Sequence, residues 1–299
     1  MRKSMARILA SCLVVAGLMS AVPVAHAGLE SGLLNYWNFD DNLDDAAHGL
    51  AGSASTVADN GTFDGTNGTD GIAYAAGLFG SAIQQNGAGG GAAGQEDDGF
   101  VRVPRSADTL RAGQSVSISA WVKTDGFDTS WQTILAHGEG SQYRIARRGE
   151  DSVAAYAGGS GDIPGSAIGP DISVGTGWHH ILAVSENAVS TRIWVDGSLV
   201  ETGGAPTITD NGNDGAPGGS SPDLYIGANP QTGANNREWW GSIDDVAIWD
   251  RPLDEAEIAT IYQNGRAGVP LGGIVPEPSS LGLCSLALMG LLGLRRKKG

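Results

Sequence analysis

Three pairs of adjacent aspartates, Asp40-Asp41, Asp44-Asp45 and Asp244-Asp245, are the residues whose type and spacing first suggest chemistry. Two carboxylates held close can divide the roles of acid and nucleophile, or they can share a cation. Asp244-Asp245 lies inside Gly241–Asp250, a run that reads as a strand. Neighbouring residues on a regular strand point to opposite faces, so on that geometry this pair cannot work as a catalytic couple. No Gly-x-Ser-x-Gly elbow is present, and no His/Cys spacing suggests zinc. His179-His180 follow Trp178 within another strand-like run. Eight tryptophans offer ring faces that could stack on the C–H face of a pyranose. Trp131 follows a Gly/Asp loop, and Trp239-Trp240 follow the polar run Gln231–Glu238, so these three are the candidate sugar platforms. Core packing is the competing role for each of them.

The elements that must position these residues are short strands. Val116, Ile118, Ala120 and Val122 alternate with Ser115, Ser117, Ser119 and Trp121, the period of two that marks one buried face. Further strand-like runs are Leu33–Phe39, Phe100–Val103, Trp131–Ala136, Tyr143–Arg147, Val153–Ala157, Trp178–Val184, Thr191–Val195, Ser198–Thr202, Leu224–Ala228 and Ser242–Trp249. Asp196-Gly197 is a two-residue hairpin turn. Ala46–Gly99 reads as long loops with short strands, and Gly87–Gly94 and Gly203–Pro222 as Gly-rich excursions. One helix is punctuated at both ends: Asp254 and Glu257 form a capping box, and Asn264-Gly265 supplies a C-terminal cap. About a dozen short strands with one helix predict an all-β, two-sheet antiparallel jelly-roll sandwich in a single domain.

Charge narrows the partners. Seven of the 18 Lys and Arg residues lie at the ends, in Arg2, Lys3, Arg7 and Arg295–Lys298. Between Gly28 and Val275 lie 32 of the 33 acidic residues but only one lysine, Lys123. Such a surface repels phosphate backbones, which excludes nucleic acid as a partner. Cys12 and Cys284 lie in terminal apolar segments, so no disulfide can staple the part between them.

Both ends read as addresses. Residues 1–27 combine a basic start, an apolar stretch and Ala25-His26-Ala27, as in a signal peptide that signal peptidase cuts between Ala27 and Gly28. At the other end, Pro276-Glu277-Pro278 precedes the apolar run Leu281–Leu294 and the basic tail. As a helix that run spans roughly 21 Å, short of a ~30 Å hydrocarbon core, which suits a transient inner-membrane anchor. This tripartite tail resembles the PEP-CTERM sorting signal of Gram-negative bacteria. The resemblance implies processing by an exosortase, a membrane-embedded cysteine transpeptidase, followed by release or attachment at the cell surface or matrix.

The middle of the chain resembles the LamG-like jelly roll of the concanavalin A-like lectin/glucanase superfamily. The resemblance rests on Tyr36-Trp-Asn-Phe-Asp40, Gly77–Ala82, Ser117–Lys123, Gly177–His180, Ile193–Gly197, Leu224–Gly227 and Gly241–Gly265, in the family's order. It implies a domain over residues 28–270, with 271–299 as linker and sorting signal. It also implies a structural calcium near the sandwich edge, with Asp40, Asp45 and Asp244 as ligands; the same residues would equally serve as solvated turn carboxylates. Glucanases of the superfamily carry a Glu-x-Asp-x-Glu strand motif, which this chain lacks. The expected function is therefore an exported, non-catalytic module that recognises a glycan or another extracellular polymer. A structural spacer without a ligand is the alternative, and a polysaccharide-active enzyme is a third reading.

Overall fold

Alternating side chains on the strands build two packed sheets. A computed structural model of the chain describes residues 28–50, 52–64, 71–86, 99–140, 142–209, 223–229 and 237–275. Sheet A contains β1 (Leu33–Trp37), β3 (Ile72–Ala76), β4 (Ser81–Asn86), β6 (Val116–Thr124), β10 (Trp178–Glu186), β11 (Ser190–Val195), β12 (Ser198–Thr202) and β14 (Trp240–Trp249). Sheet B contains β2 (Thr62–Asp64), β5 (Phe100–Val103), β7 (Thr133–His137), β8 (Tyr143–Arg147), β9 (Ala154–Gly158) and β13 (Leu224–Ile226). The order in sheet A is β12-β11-β10-β6-β14-β4-β3, with β1 also paired to β14; in sheet B it is β2-β5-β13-β7-β8-β9. Every named pairing is antiparallel, as the jelly-roll reading requires.

The main core lies between the sheets. Val116, Ile118, Ala120 and Val122 of β6 face Val101, Val103, Tyr143, Ile145 and Tyr156 of sheet B across it. The outer face of sheet A is buried as well. Leu182, Val184, Trp194, Ala247 and Trp249 pack there with Ile258 and Ile261 of helix α1 (Glu255–Arg266), and with Leu29 and Leu33 from the start of the domain. The serines of β6 serve this second layer: Ser117 Oγ donates to the Arg251 carbonyl and accepts from the Leu253 amide, fixing the approach to α1.

Local signals hold where they need only their own neighbourhood. Asp254 and Glu257 form the reciprocal capping box. Asp196 and Gly197 both have positive φ, 52° and 72°, as a type I′ hairpin demands. The C-terminal punctuation shifts, because α1 runs through Asn264-Gly265 to Arg266, and Gly268, at φ 81°, takes the left-handed position. The end of the domain shifts too. Beyond 270, helix α2 (Leu271–Ile274) buries Leu271, Ile274 and Val275 in the outer layer, so the folded unit reaches Val275.

The signal-peptide residues to Ala27, the Gly87–Gly94 excursion, Pro276-Glu277-Pro278 and the apolar run Leu281–Leu294 lie outside the described residues. Among the described residues no helix is long and apolar enough to cross a membrane.

Candidate functional site

The aspartate pair on β14 is where a regular-strand reading fails. Ile243, Val246 and Ile248 all face the core between the sheets, whereas Ala247 and Trp249 face the outer layer. Two residues, not one, therefore separate the inward-facing Ile243 and Val246. A bulge accounts for this: the register with β6 shifts between Asp244 and Ala247, and Asp245 sits at φ 52°. The extra residue puts Asp244 and Asp245 on the same outer face, contrary to strict alternation. Each is then bound separately. Asp244 Oδ2 accepts the Leu78 and Phe79 amides at 2.9 and 3.0 Å. Asp245 accepts the Tyr36 hydroxyl on Oδ1 and the Leu271 amide on Oδ2 at 2.8 Å. Both residues are buried, at 0% and 3% exposure.

The tight turn Gly77–Gly80 is clasped between two of the expected calcium ligands. Asp244 holds its amides from one side, while Asp40 Oδ1 accepts the Ser81 amide at 3.0 Å on the other. Gly77 and Gly80 are required by this approach: a Cβ on Gly77 would come 2.6 Å from Asp244 Oδ2, and one on Gly80 2.0 Å from Asp40 Oδ1. Asp45 stands apart from the clasp. Its oxygens accept the Tyr36, Ala47 and Asp59 amides and the Asn35 side-chain amide. With both oxygens turned to N–H donors, it closes the turn after β1. Among the described residues no three His, Cys, Asp or Glu side chains form a metal-holding group, so the three-carboxylate set is not assembled.

One observation does fit a cation. Asp244 Oδ1 is buried and has no hydrogen-bond partner. Burial, with Asp245 close by, pushes the Asp244 carboxyl up to about 8 against the pull of its amide partners. A cation beside that oxygen would reverse this. Burial likewise raises Asp245 to about 6. A cleft of about 260 Å³ opens next to the clasp, with Asp40, Phe79, Tyr36 and Asp245 among its lining residues.

The outer face of sheet B carries a different constellation. Tyr143 and Ile145 point into the core, so Arg144 between them points out. Register lines up one lateral row across the whole sheet: Thr62, Arg102, Tyr225, Ala136, Arg144 and Ala157. Arg144 is buried and pinned, pairing with Glu139 through one nitrogen and with Asp162 at 2.7 Å through another. Glu139 also accepts from Arg237 at 3.0 Å and Asn229 at 2.9 Å. The Trp131 ring lies against the Arg144 guanidinium, 4.9 Å from its centroid, and is half-buried. Four separate loops thus meet at one arginine, and Glu139 and Asp162 keep about a third of their side-chain surface open.

The other proposed sugar platforms divide. Trp239 is 0% exposed, belongs to the core between the sheets and packs edge-on to Phe127. The polar run before it does not carry it to the surface, so Trp239 is not a platform. Trp240 is half-buried against Gly126, where an added Cβ would come 2.2 Å from its ring. His180 is fully buried under Trp121 and Tyr262, bonded to Ser119, and burial lowers it to about 4.

Two antiparallel sheets with a helix sealing one outer face define a concanavalin A-like jelly roll. Residues 95–259 match the Laminin_G_3 profile of the concanavalin A-like lectin/glucanases superfamily, and the chain belongs to that superfamily. Residues 275–297 match the PEP-CTERM protein-sorting motif, which marks the chain for export and membrane-associated sorting. Among solved structures, the chain is similar to domain 4 of AbnA, a GH43 extracellular arabinanase from Geobacillus stearothermophilus, solved with arabinotriose. The TM-score is 0.54 at 22% identity over 77% of this chain and 98% of that one. It is also similar to the botulinum neurotoxin serotype C1 binding domain (TM-score 0.51, 14% identity, 78% of this chain) and to the binding domain of Paraclostridial Mosquitocidal Protein 1 (TM-score 0.51, 14% identity, 77% of this chain). The match spans about half of each toxin binding domain, 52%. At these identities the likeness is one of fold. No curated protein matches the chain.

Proposed function

We propose that this domain is an exported, non-catalytic module that binds a glycan on the outer face of sheet B, around Arg144 and Trp131. The observation that carries the reading is the pinned guanidinium: Arg144 is fixed by Glu139 and Asp162 beneath an aromatic ring. A sugar is held by preoriented hydrogen-bonding groups beside a ring face, and groups already immobilised lose little entropy on binding. The open carboxylate edges of Glu139 and Asp162 suit hydroxyl donors, and the acidic surface disfavours an anionic polymer. The arabinotriose bound in the arabinanase domain and the binding domains of the toxins are consistent with this use of the fold. Burial of Asp244 and Asp245 supports the non-catalytic reading.

The same reading includes a structural calcium at the Gly77–Gly80 turn. It is held by Asp244 Oδ1 and Asp40 and serves to fix the edge of the sandwich rather than to touch the ligand. Glycan-array binding by the 28–275 protein, with and without calcium, tests the whole. Binding to neutral polysaccharide that Trp131→Ala and Arg144→Ala both weaken is expected. An array without signal would leave the domain as a spacer.

A further inference from the structure

The segment that leads into the sorting motif is part of the fold. Leu271, Ile274 and Val275 are 3%, 2% and 3% exposed and pack with Leu29, Leu33, Tyr36 and Trp249. Two polar side chains hold the start of α2. Asp245 accepts the Leu271 amide, and the Tyr36 hydroxyl accepts the Gly272 amide at 3.1 Å while donating to Asp245. The fit at Gly272 is close, since an added Cβ would come 3.2 Å from the Tyr36 ring. Pro276 of the sorting motif follows directly after the last buried side chain, Val275. From there to the apolar run at Leu281 the five residues 276–280 can reach at most roughly 17 Å.

We infer that Leu271–Val275 is a latch that holds the sorting junction against the folded domain and limits its processing until the latch opens. An enzyme that cuts a chain and transfers its end takes several residues on both sides of the junction as extended peptide. On the upstream side Leu271–Ile274 are here helical, the Leu271, Ile274 and Val275 side chains are buried, and the Leu271 and Gly272 amides are hydrogen-bonded. With so short a reach to the membrane segment, the processing enzyme meets the junction only beside the domain's outer face. Opening the latch exposes it; lengthening the reach has the same effect without opening it.

The test is pulse–chase of the full-length chain in a Gram-negative cell that carries the sorting transpeptidase, following loss of the unprocessed form. Tyr36→Phe removes one hydroxyl from the latch and is expected to speed processing roughly fivefold. Ile274→Asn removes an apolar anchor and should speed it tenfold or more. An eight-residue Gly/Ser spacer after Val275 should match that gain with the latch still resistant to protease, and Tyr36→Phe should add nothing in the spacer background. An unchanged rate with the spacer overturns the latch, and this arm decides alone if the point variants fail to fold. Unchanged rates in variants whose latch has become protease-sensitive overturn it equally.

Discussion

The two outer faces of the sandwich use charge in opposite ways. On sheet A, aspartates are buried and their oxygens accept backbone amides: Asp244 from Leu78 and Phe79, Asp245 from Leu271. They organise chain segments, and one oxygen of Asp244 is left without a partner. On sheet B, charges of both signs meet side chain to side chain around Arg144, with carboxylate edges open to solvent. The first arrangement builds structure and suits a cation. The second is a preoriented set of donors and acceptors facing outward, which suits a ligand. A carboxylate's role thus follows from what its oxygens already hold, and not from its place in an acidic pair.

The largest expected effect breaks this contrast on the sheet A side. A carboxyl raised from 3.8 to about 8 binds a proton that the unfolded chain has released. Its stabilising share is full below about pH 4 and is lost as pH rises through 8, several kcal/mol in order of magnitude. Without calcium, thermal unfolding should therefore come later at pH 5 than at pH 8. Calcium should raise the midpoint at pH 8 and do little at pH 5. A midpoint at pH 8 that chelator leaves unchanged would remove the calcium.

Next in size is His180, whose lowered value of about 4 means that the unfolded state takes up a proton first as pH falls. Stability should drop by about 3 kcal/mol between pH 6.5 and 4. This runs against the gain at Asp244, so His180→Gln should unmask that gain in the calcium-free protein. Denaturant titrations at the two pH values, wild type against variant, check the sign.

On sheet B the effects fall on binding. Trp131→Ala should weaken glycan affinity about tenfold and shift the unfolding midpoint by only a few degrees, because its ring is half-buried. Calorimetry and thermal unfolding on one sample separate the two. The smallest effect belongs to Arg102, three strands away from Arg144 in the same row. Its pairs with Asp64 and Asp223 are half-exposed, so Arg102→Ala should change stability by less than about 1 kcal/mol. A loss of affinity in that variant would extend the ligand across the four strands from β8 to β5, whereas unchanged affinity would confine it to the Arg144 end.

The strand runs, the Asp196-Gly197 turn and the Asp254/Glu257 capping box were legible in the residues, because alternation and end-capping depend on neighbours a few positions away. The family followed from those pieces in order. The placement of the site residues was not legible, for three physical reasons. The bulge at Asp245 arises from pairing with β6, 120-odd positions back in the chain, and nothing in Ile243–Val246 itself announces an extra residue. Trp239 follows polar residues, yet it is drawn inward to fill the core beside Phe127. Arg144 could be placed outward from its strand pattern, but Glu139, Asp162, Arg237 and Trp131 converge on it only when four loops meet. The sequence by itself determined the sheets, the helix cap and the C-terminal sorting motif, since local patterns suffice for those. Only the tertiary structure decided which aspartates organise loops, which aromatic faces solvent, and that the chain stays folded to the edge of its sorting motif. Each of these depends on long-range burial and on which hydrogen bonds remain unmade.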